Sequence, residues 1–124
     1  MKVRIDPLDK LFSYYIRLRA MQRVGGCERC LAKKENYKSL DCAHFDGRSR
    51  KSVRWDSDNA VGLCSGCHFY LDGHPLEKVD WFKHHLGEQF ELLQSRMRIT
   101  YPKPDKALLT LYYKNLIKEL ERKE

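Results

Sequence analysis

Cys27 and Cys30 form one Cys-x-x-Cys pair, and Cys64 and Cys67 form a second. Each pair offers two thiolates from a single tight turn, so the two together supply the four soft ligands of a tetrahedral zinc site. Between the pairs lie 33 residues, more than the spacer of a zinc ribbon needs and enough for a β-hairpin. That insert carries His44, Asn59 and four clustered cations, Arg48, Arg50, Lys51 and Arg54; His68 follows the last cysteine directly. A neutral imidazole takes a proton from water near neutral pH. A divalent ion stabilises charge that develops on a phosphate and on its leaving oxygen. A histidine on a strand facing a ligand on a helix, both tied at one end by zinc, is a workable site for phosphodiester hydrolysis. The zinc then reads as a structural clip and the insert as the chemistry.

The elements that must hold these groups follow from local signals. Asp6-Pro7 is a good helix start, with Asp6 as N-cap, Pro7 at the first helical position and Asp9 in the first turn. Leu8, Leu11, Phe12, Tyr15 and Leu18 make an apolar stripe, so this N-terminal helix (6–24) runs to about Arg23 and stops at Gly25-Gly26. Residues 1–5 read as a loose or strand-like arm, and Arg17, Arg19 and Arg23 as a solvated face. Lys33 to Lys38 is a polar turn. Ser39 to Phe45 reads as a strand carrying His44 near its end, Asp46-Gly47 opens the basic loop, and Trp55 to Leu63 returns as a second strand interrupted by Asp56-Ser-Asp-Asn59. A helix starts near Ser65 and ends at Asp72-Gly73, which puts His68 in its first turns. The tail (76–122) reads as three helices: Glu77 to Leu86 packed through Val79, Trp81, Phe82 and Leu86, then Glu88 to Ile99, and after Tyr101-Pro-Lys-Pro104 a last helix with Leu108, Leu111, Tyr112, Leu116 and Leu120 on one stripe.

With 124 residues the chain has the size of one domain, and a metal clip suits so small a core. The expectation is an α+β fold: a zinc-clipped ββα core over 27–74 between an N-terminal helix and a helical tail. No apolar run reaches membrane-span length and no signal-peptide core precedes the first helix, so a cytoplasmic location is expected. Under reducing conditions paired cysteines favour zinc over disulfides. Cys42, the fifth cysteine, reads as a small buried strand residue. Lys and Arg total 24 against 17 Asp and Glu, a net charge of +7. That surplus suits a polyanion, with DNA the first candidate partner and no membrane. The apolar stripes with Tyr112 and Tyr113 leave room for a homodimer. His84-His85, near a helix C-terminus, read as structural rather than as a metal pair.

The Cys-Ala-His44 stretch, the basic loop, Arg54-Trp55-Asp-Ser-Asp-Asn59 and Cys64-Ser-Gly-Cys67-His68 together resemble the HNH (ββα-metal) nuclease superfamily in its four-cysteine version, most nearly phage NinG/Rap-type recombination endonucleases. The resemblance covers residues 27–74. It implies that Cys27, Cys30, Cys64 and Cys67 hold structural zinc and that His44 is the general base. Asn59 would hold the loop between hairpin and helix or orient His44 through its carbonyl, and His68 would bind catalytic Mg²⁺ or Mn²⁺. Arg48, Arg50, Lys51 and Arg54 would meet phosphates. It also implies action in the host cytoplasm or nucleoid for a phage-encoded chain.

The sequence departs from that pattern at Ala43, where many such enzymes place an Asp or His as second metal ligand. The nearest acid is Asp41, an Asp-x-x-His arrangement similar to that of the non-specific ββα-metal nucleases, and it falls in the outer shell of the metal. Asp72, four residues after His68 on the same helix face, and His74 just beyond are the other candidate ligands. Two functions stand at this point: a metal-dependent DNA endonuclease acting on branched or duplex DNA, and a catalytically inactive zinc-stabilised DNA-binding module. Tyr70 is an alternative nucleophile to water.

Overall fold

The computed structural model describes residues 3–123. Among them are five α-helices and one two-stranded antiparallel sheet, an α+β arrangement. The helix α1 (Pro7–Val24) begins at a capping box in which Asp6 accepts from the Leu8 amide at 2.8 Å and Asp9 accepts from the Asp6 amide at 2.7 Å. It ends at Gly25, whose φ of 68° is left-handed and open to glycine without strain. The strands β1 (Asp41–His44) and β2 (Ala60–Leu63) pair in a register that sets Asp41 opposite Leu63 and His44 opposite Ala60. Then come α2 (Ser65–Gly73), α3 (Pro75–Leu86), α4 (Gln89–Met97) and α5 (Lys106–Arg122).

The strands are shorter than the sequence suggests. Val3 to Asp6 forms no strand, and residues 1 and 2 of the expected arm lie outside the described residues. Trp55 to Asn59 is not strand either: 3₁₀ turns occupy Lys51–Val53 and Ser57–Asn59, so β2 begins only at Ala60. The cause is polar. Asp56 caps the second turn by accepting from the Asp58 amide at 3.0 Å, an Asx turn that competes with sheet pairing.

One buried cluster joins the hairpin and the first knuckle to α2, α3 and α4 through Leu63, Leu71, Phe82 and Phe90. The other joins α1, Trp55 and α5 through Leu8, Phe12, Ile16 and Tyr113, whose hydroxyl donates to the Trp55 carbonyl. Helix α1 is thus buried on two sides, which is why Ile16 and Ala20 join the expected stripe as fully buried residues. It also explains Arg19, expected in solvent: its guanidinium is buried and donates to the carbonyls of Ala60 at 2.7 Å and Ser57 at 2.9 Å. Gly62 lets α1 lie directly on β2, since a Cβ there would sit 2.5 Å from that of Ala20.

The tail differs in its faces. On α5 the buried side is Tyr113 and Ile117 with Leu109 and Leu116 packed beside them, while Leu108, Leu111 and Tyr112 are exposed. On α3 only Phe82 is fully buried, and Val79 is open to solvent. No helix among the described residues is long and apolar enough to cross a membrane.

Candidate metal centre and histidine cleft

The four cysteines converge. The Sγ atoms of Cys27, Cys30, Cys64 and Cys67 all lie within 4.8 Å of one another. Cys30 and Cys64 Sγ are 3.8 Å apart, far beyond a disulfide bond and equal to the edge of a tetrahedron with metal–sulfur bonds of about 2.3 Å. The chain folds this way locally because each knuckle is closed by its own backbone. The Leu31 amide donates to the Cys27 carbonyl at 3.0 Å, and the Cys67 amide donates to Cys64 Sγ at 3.4 Å. These are four cysteines positioned to bind a metal ion. Burial resists ionisation of Cys27, yet the amides of Cys64, Cys30 and Arg29 hold its thiol at about 7. Burial pushes Cys67 up to about 12, so a cation is needed for all four to bind as thiolates. Cys42 stands outside the cluster; it packs against Leu8, Phe12 and their neighbours, and burial pushes its thiol up to about 12.

Glu28, inside the first knuckle, is the element sequence reasoning missed. It is buried, its amide donates to the Gly62 carbonyl at 3.0 Å, and its Oε2 accepts from the Gly62 amide at 2.8 Å. This fastens the first knuckle to β2. Its other oxygen faces Arg23 at 3.3 Å and His85 at 3.6 Å, and His85 stacks on Trp81. His85 is therefore a strut on the knuckle. A charged residue between two Cys ligands carries no signal of burial in the sequence.

Cys64 is both a knuckle residue and the N-cap of α2, and the His68 amide donates to its carbonyl at 3.0 Å. The cluster thereby fixes where His68 stands. His68 Nδ1 lies 3.0 Å from Asp41 Oδ2 on β1, and its Nε2 lies 3.3 Å from Asp72 Oδ2. Asp72 Oδ1 accepts from Lys78 of α3 at 2.8 Å. His74 points elsewhere: its Nδ1 lies 2.7 Å from the Tyr70 carbonyl and its ring stacks on Tyr70. The Tyr70 hydroxyl donates to Glu77, which raises its pKa, and Tyr70 does not line the cleft that holds His44 and His68.

His44, at the end of β1, packs its ring against Phe12 with centroids 5.8 Å apart. Its Nε2 is buried and has no hydrogen-bond partner among the described residues. Burial lowers its pKa to about 4, with Arg48, Lys78 and His68 adding to the effect and Asp9 opposing it. His44, His68, Asp41 and Arg48 line one cleft of about 800 Å³ whose other wall is α1.

Asn59 is fully buried and does not bond to His44. Its Oδ1 accepts from the Asp46 amide at 2.9 Å, and its Nδ2 donates to the carbonyls of Asp46 and Val53 at 2.9 and 3.0 Å. Its own carbonyl accepts from the Phe45 amide at 2.8 Å, one residue past His44. Asn59 thus clamps the loop within the hairpin, not the one between hairpin and helix. Arg96 of α4 braces the same loop through Asp56 at 2.5 Å and Asp58 at 2.9 Å.

The basic loop divides into three. Arg54 is turned inward, a correction to its expected phosphate role: it is buried and donates twice to Asp9, at 3.0 and 2.5 Å, and to the Arg4 carbonyl. Asp9 also accepts from Trp55 Nε1 at 2.9 Å. Against the penalty of burial, Arg54 holds this carboxyl below its usual range. Arg48 faces the cleft, 3.9 Å from Asp9. Arg50 is surface-exposed and bonded to Asp46 at 2.7 Å, and it shares a separate groove with Lys51. No family model, no curated protein and no solved structure matches this chain.

Proposed function

We propose that this protein is a metal-dependent DNA endonuclease of HNH type, hydrolysing phosphodiester bonds with water activated by His44. One observation carries the reading: His44, kept neutral by burial, lines a cation-rimmed cleft together with His68, on a helix whose start is fixed by four converging cysteines. The cysteines suit structural zinc by number, softness and edge length.

A catalytic Mg²⁺ or Mn²⁺ fits the donors beside His68. The 3.3 Å between His68 Nε2 and Asp72 Oδ2 is near the roughly 3 Å edge of an octahedron with bonds of about 2.1 Å. Asp41 on Nδ1 orients the ring and fixes its tautomer, as outer-shell carboxylates do. Such an ion would supply charge stabilisation at the phosphate. The chain's own residues do the rest. His44, kept neutral by burial, accepts a proton from water as the water oxygen bonds to phosphorus. The bond from phosphorus to O3′ breaks, O3′ takes a proton from solvent, and a 5′-phosphate and a 3′-hydroxyl result, as the family resemblance implies. Arg48 holds a phosphate oxygen at the mouth of the cleft.

The second reading, a catalytically inactive zinc-stabilised DNA-binding module, is favoured by Ala43, buried against the core where a second ligand stands in many HNH enzymes. A panel of junction, flap, single-stranded and duplex DNA with Mg²⁺ separates the two. His44→Gln is expected to keep zinc and DNA affinity but cut about 10²–10⁴-fold more slowly, while His68→Ala regains part of its activity in Mn²⁺. Wild-type cleavage by His44→Gln would end the assignment.

A further inference from the structure

The cleft that holds His44 and His68 is not built from the hairpin and α2 alone. Lys10, Ser13 and Arg17, at i, i+3 and i+7 on one face of α1, form its opposite wall. Arg17 is held in place: its Nε donates to the Ser13 carbonyl at 3.2 Å, and its guanidinium lies 5.1 Å from the Tyr37 ring centroid. Lys10 is exposed. The two acids in the same cleft are already engaged, Asp9 by Arg54 and Trp55 and Asp41 by His68. The unspent charge of the cleft is therefore positive and sits on both walls, with Arg48 on the hairpin side.

We propose that α1 is a phosphate-binding wall, so that a nucleic-acid strand lies between α1 and the hairpin, with Lys10 and Arg17 on phosphates flanking the one that His44 and His68 address. This deepens the endonuclease reading and rests on it. Seven residues of helix separate Lys10 from Arg17, about 10 Å at 1.5 Å per residue. That exceeds the roughly 3.4 Å by which successive phosphates of one strand advance along a duplex axis, so the two cations reach different phosphates. The cations face backbone, and such contacts position a strand without reading its bases.

The experiment measures DNA affinity against salt, by anisotropy of a labelled oligonucleotide, on zinc-loaded protein without added divalent ion and in the His44→Gln background so that nothing is cut. Lys10→Ala/Arg17→Ala is compared with Lys114→Ala/Lys118→Ala, which removes the same charge from exposed positions on α5. The first pair should weaken binding at least about tenfold and lower the salt slope by roughly two, one per lost phosphate contact. The second pair should leave the slope unchanged, and Arg17→Lys should restore most of it. Zinc content and thermal melting establish that each variant is folded, and Lys10→Ala alone serves if the double variant is not. If both pairs behave alike while the wild type cuts DNA, the α1 wall is wrong and the endonuclease reading survives. If wild type binds DNA but never cuts it, catalysis is wrong and the slopes still decide the wall. A chain that binds no nucleic acid overturns both.

Discussion

The two ends of α2's neighbourhood are built on opposite principles. At the sulfur end, four thiols converge within 4.8 Å, and the cation that reaches them is Arg29, 3.4 Å from Cys67 Sγ. At the histidine end most groups have a close partner: His68 lies against Asp41 and Asp72, Asp72 pairs with Lys78 and Arg54 with Asp9, while Arg48 stands off from Asp9 at 3.9 Å. Among the described residues the buried Nε2 of His44 has no hydrogen-bond partner, and Lys10, Arg17 and Arg48 line the cleft. A set of like thiols crowded beside a single flanking cation is a site for a resident ion. A set whose acids are paired and whose rim stays cationic is stable alone and open to an anionic visitor. The end that folds the chain and the end that could act on a substrate are thus distinguished by what remains unsatisfied.

The contrast breaks most visibly at the sulfur end. Cys64→Ser removes one of the four converging thiols while leaving a hydroxyl able to cap α2, so its effect reports on the cluster. Since metal binding and folding are one free energy in small domains, this variant and chelator-treated wild type should both lose cooperative unfolding. Circular dichroism with metal analysis checks it. A folded, metal-free Cys64→Ser protein would show that the cluster is incidental. No equivalent collapse is expected from His68→Ala, whose partners are exposed carboxylates.

What was legible in the sequence tracks the range of the interactions. The cysteine cluster and the first cap are local patterns, and they appear as read: the knuckles converge and α1 starts at Asp6. Faces set by distant partners were not legible. On α5 the sequence suggested Leu108, Leu111, Tyr112, Leu116 and Leu120; Leu116 does pack on the α1 cluster, but Leu108, Leu111 and Tyr112 are exposed and the buried pair is Tyr113 and Ile117. The interruption legible at Asp56-Ser-Asp-Asn59 is complete: the Asp56 side chain caps a 3₁₀ turn there, and β2 begins only at Ala60. Arg19 and Arg54 look like surface cations until the carbonyls and the Asp9 carboxylate that receive them are brought near by residues 38 to 45 positions away.

Arg54 and Arg50 sharpen the comparison within one loop. Arg54→Ala leaves Asp9 buried without its bidentate partner, and breaking a buried pair costs about 3 kcal/mol or more. Arg50→Ala breaks an exposed i,i+4 pair with Asp46, worth less than about 0.5 kcal/mol. Urea denaturation at neutral pH should separate them by that margin. Equal losses would mean that Asp9 is rescued by Trp55 and Arg48, and that Arg54 is dispensable to the fold.

The smallest effect is absent at neutral pH and grows only on acidification. Burial lowers the pKa of His44 to about 4, from an unfolded value of 6.5. Between those values the unfolded chain binds a proton that the folded one refuses, so stability rises with pH there. The contribution is complete above 6.5, and it is lost as pH falls towards 4; by pH 5 the loss amounts to about 2 kcal/mol. His44→Gln has no such proton and should show a flatter stability profile between pH 5 and 7, whatever its absolute stability. Cysteine protonation and metal release also set in on the acid side, but they act on both proteins and cancel in the difference. Parallel profiles would mean that His44 is open to water and ordinary in its basicity.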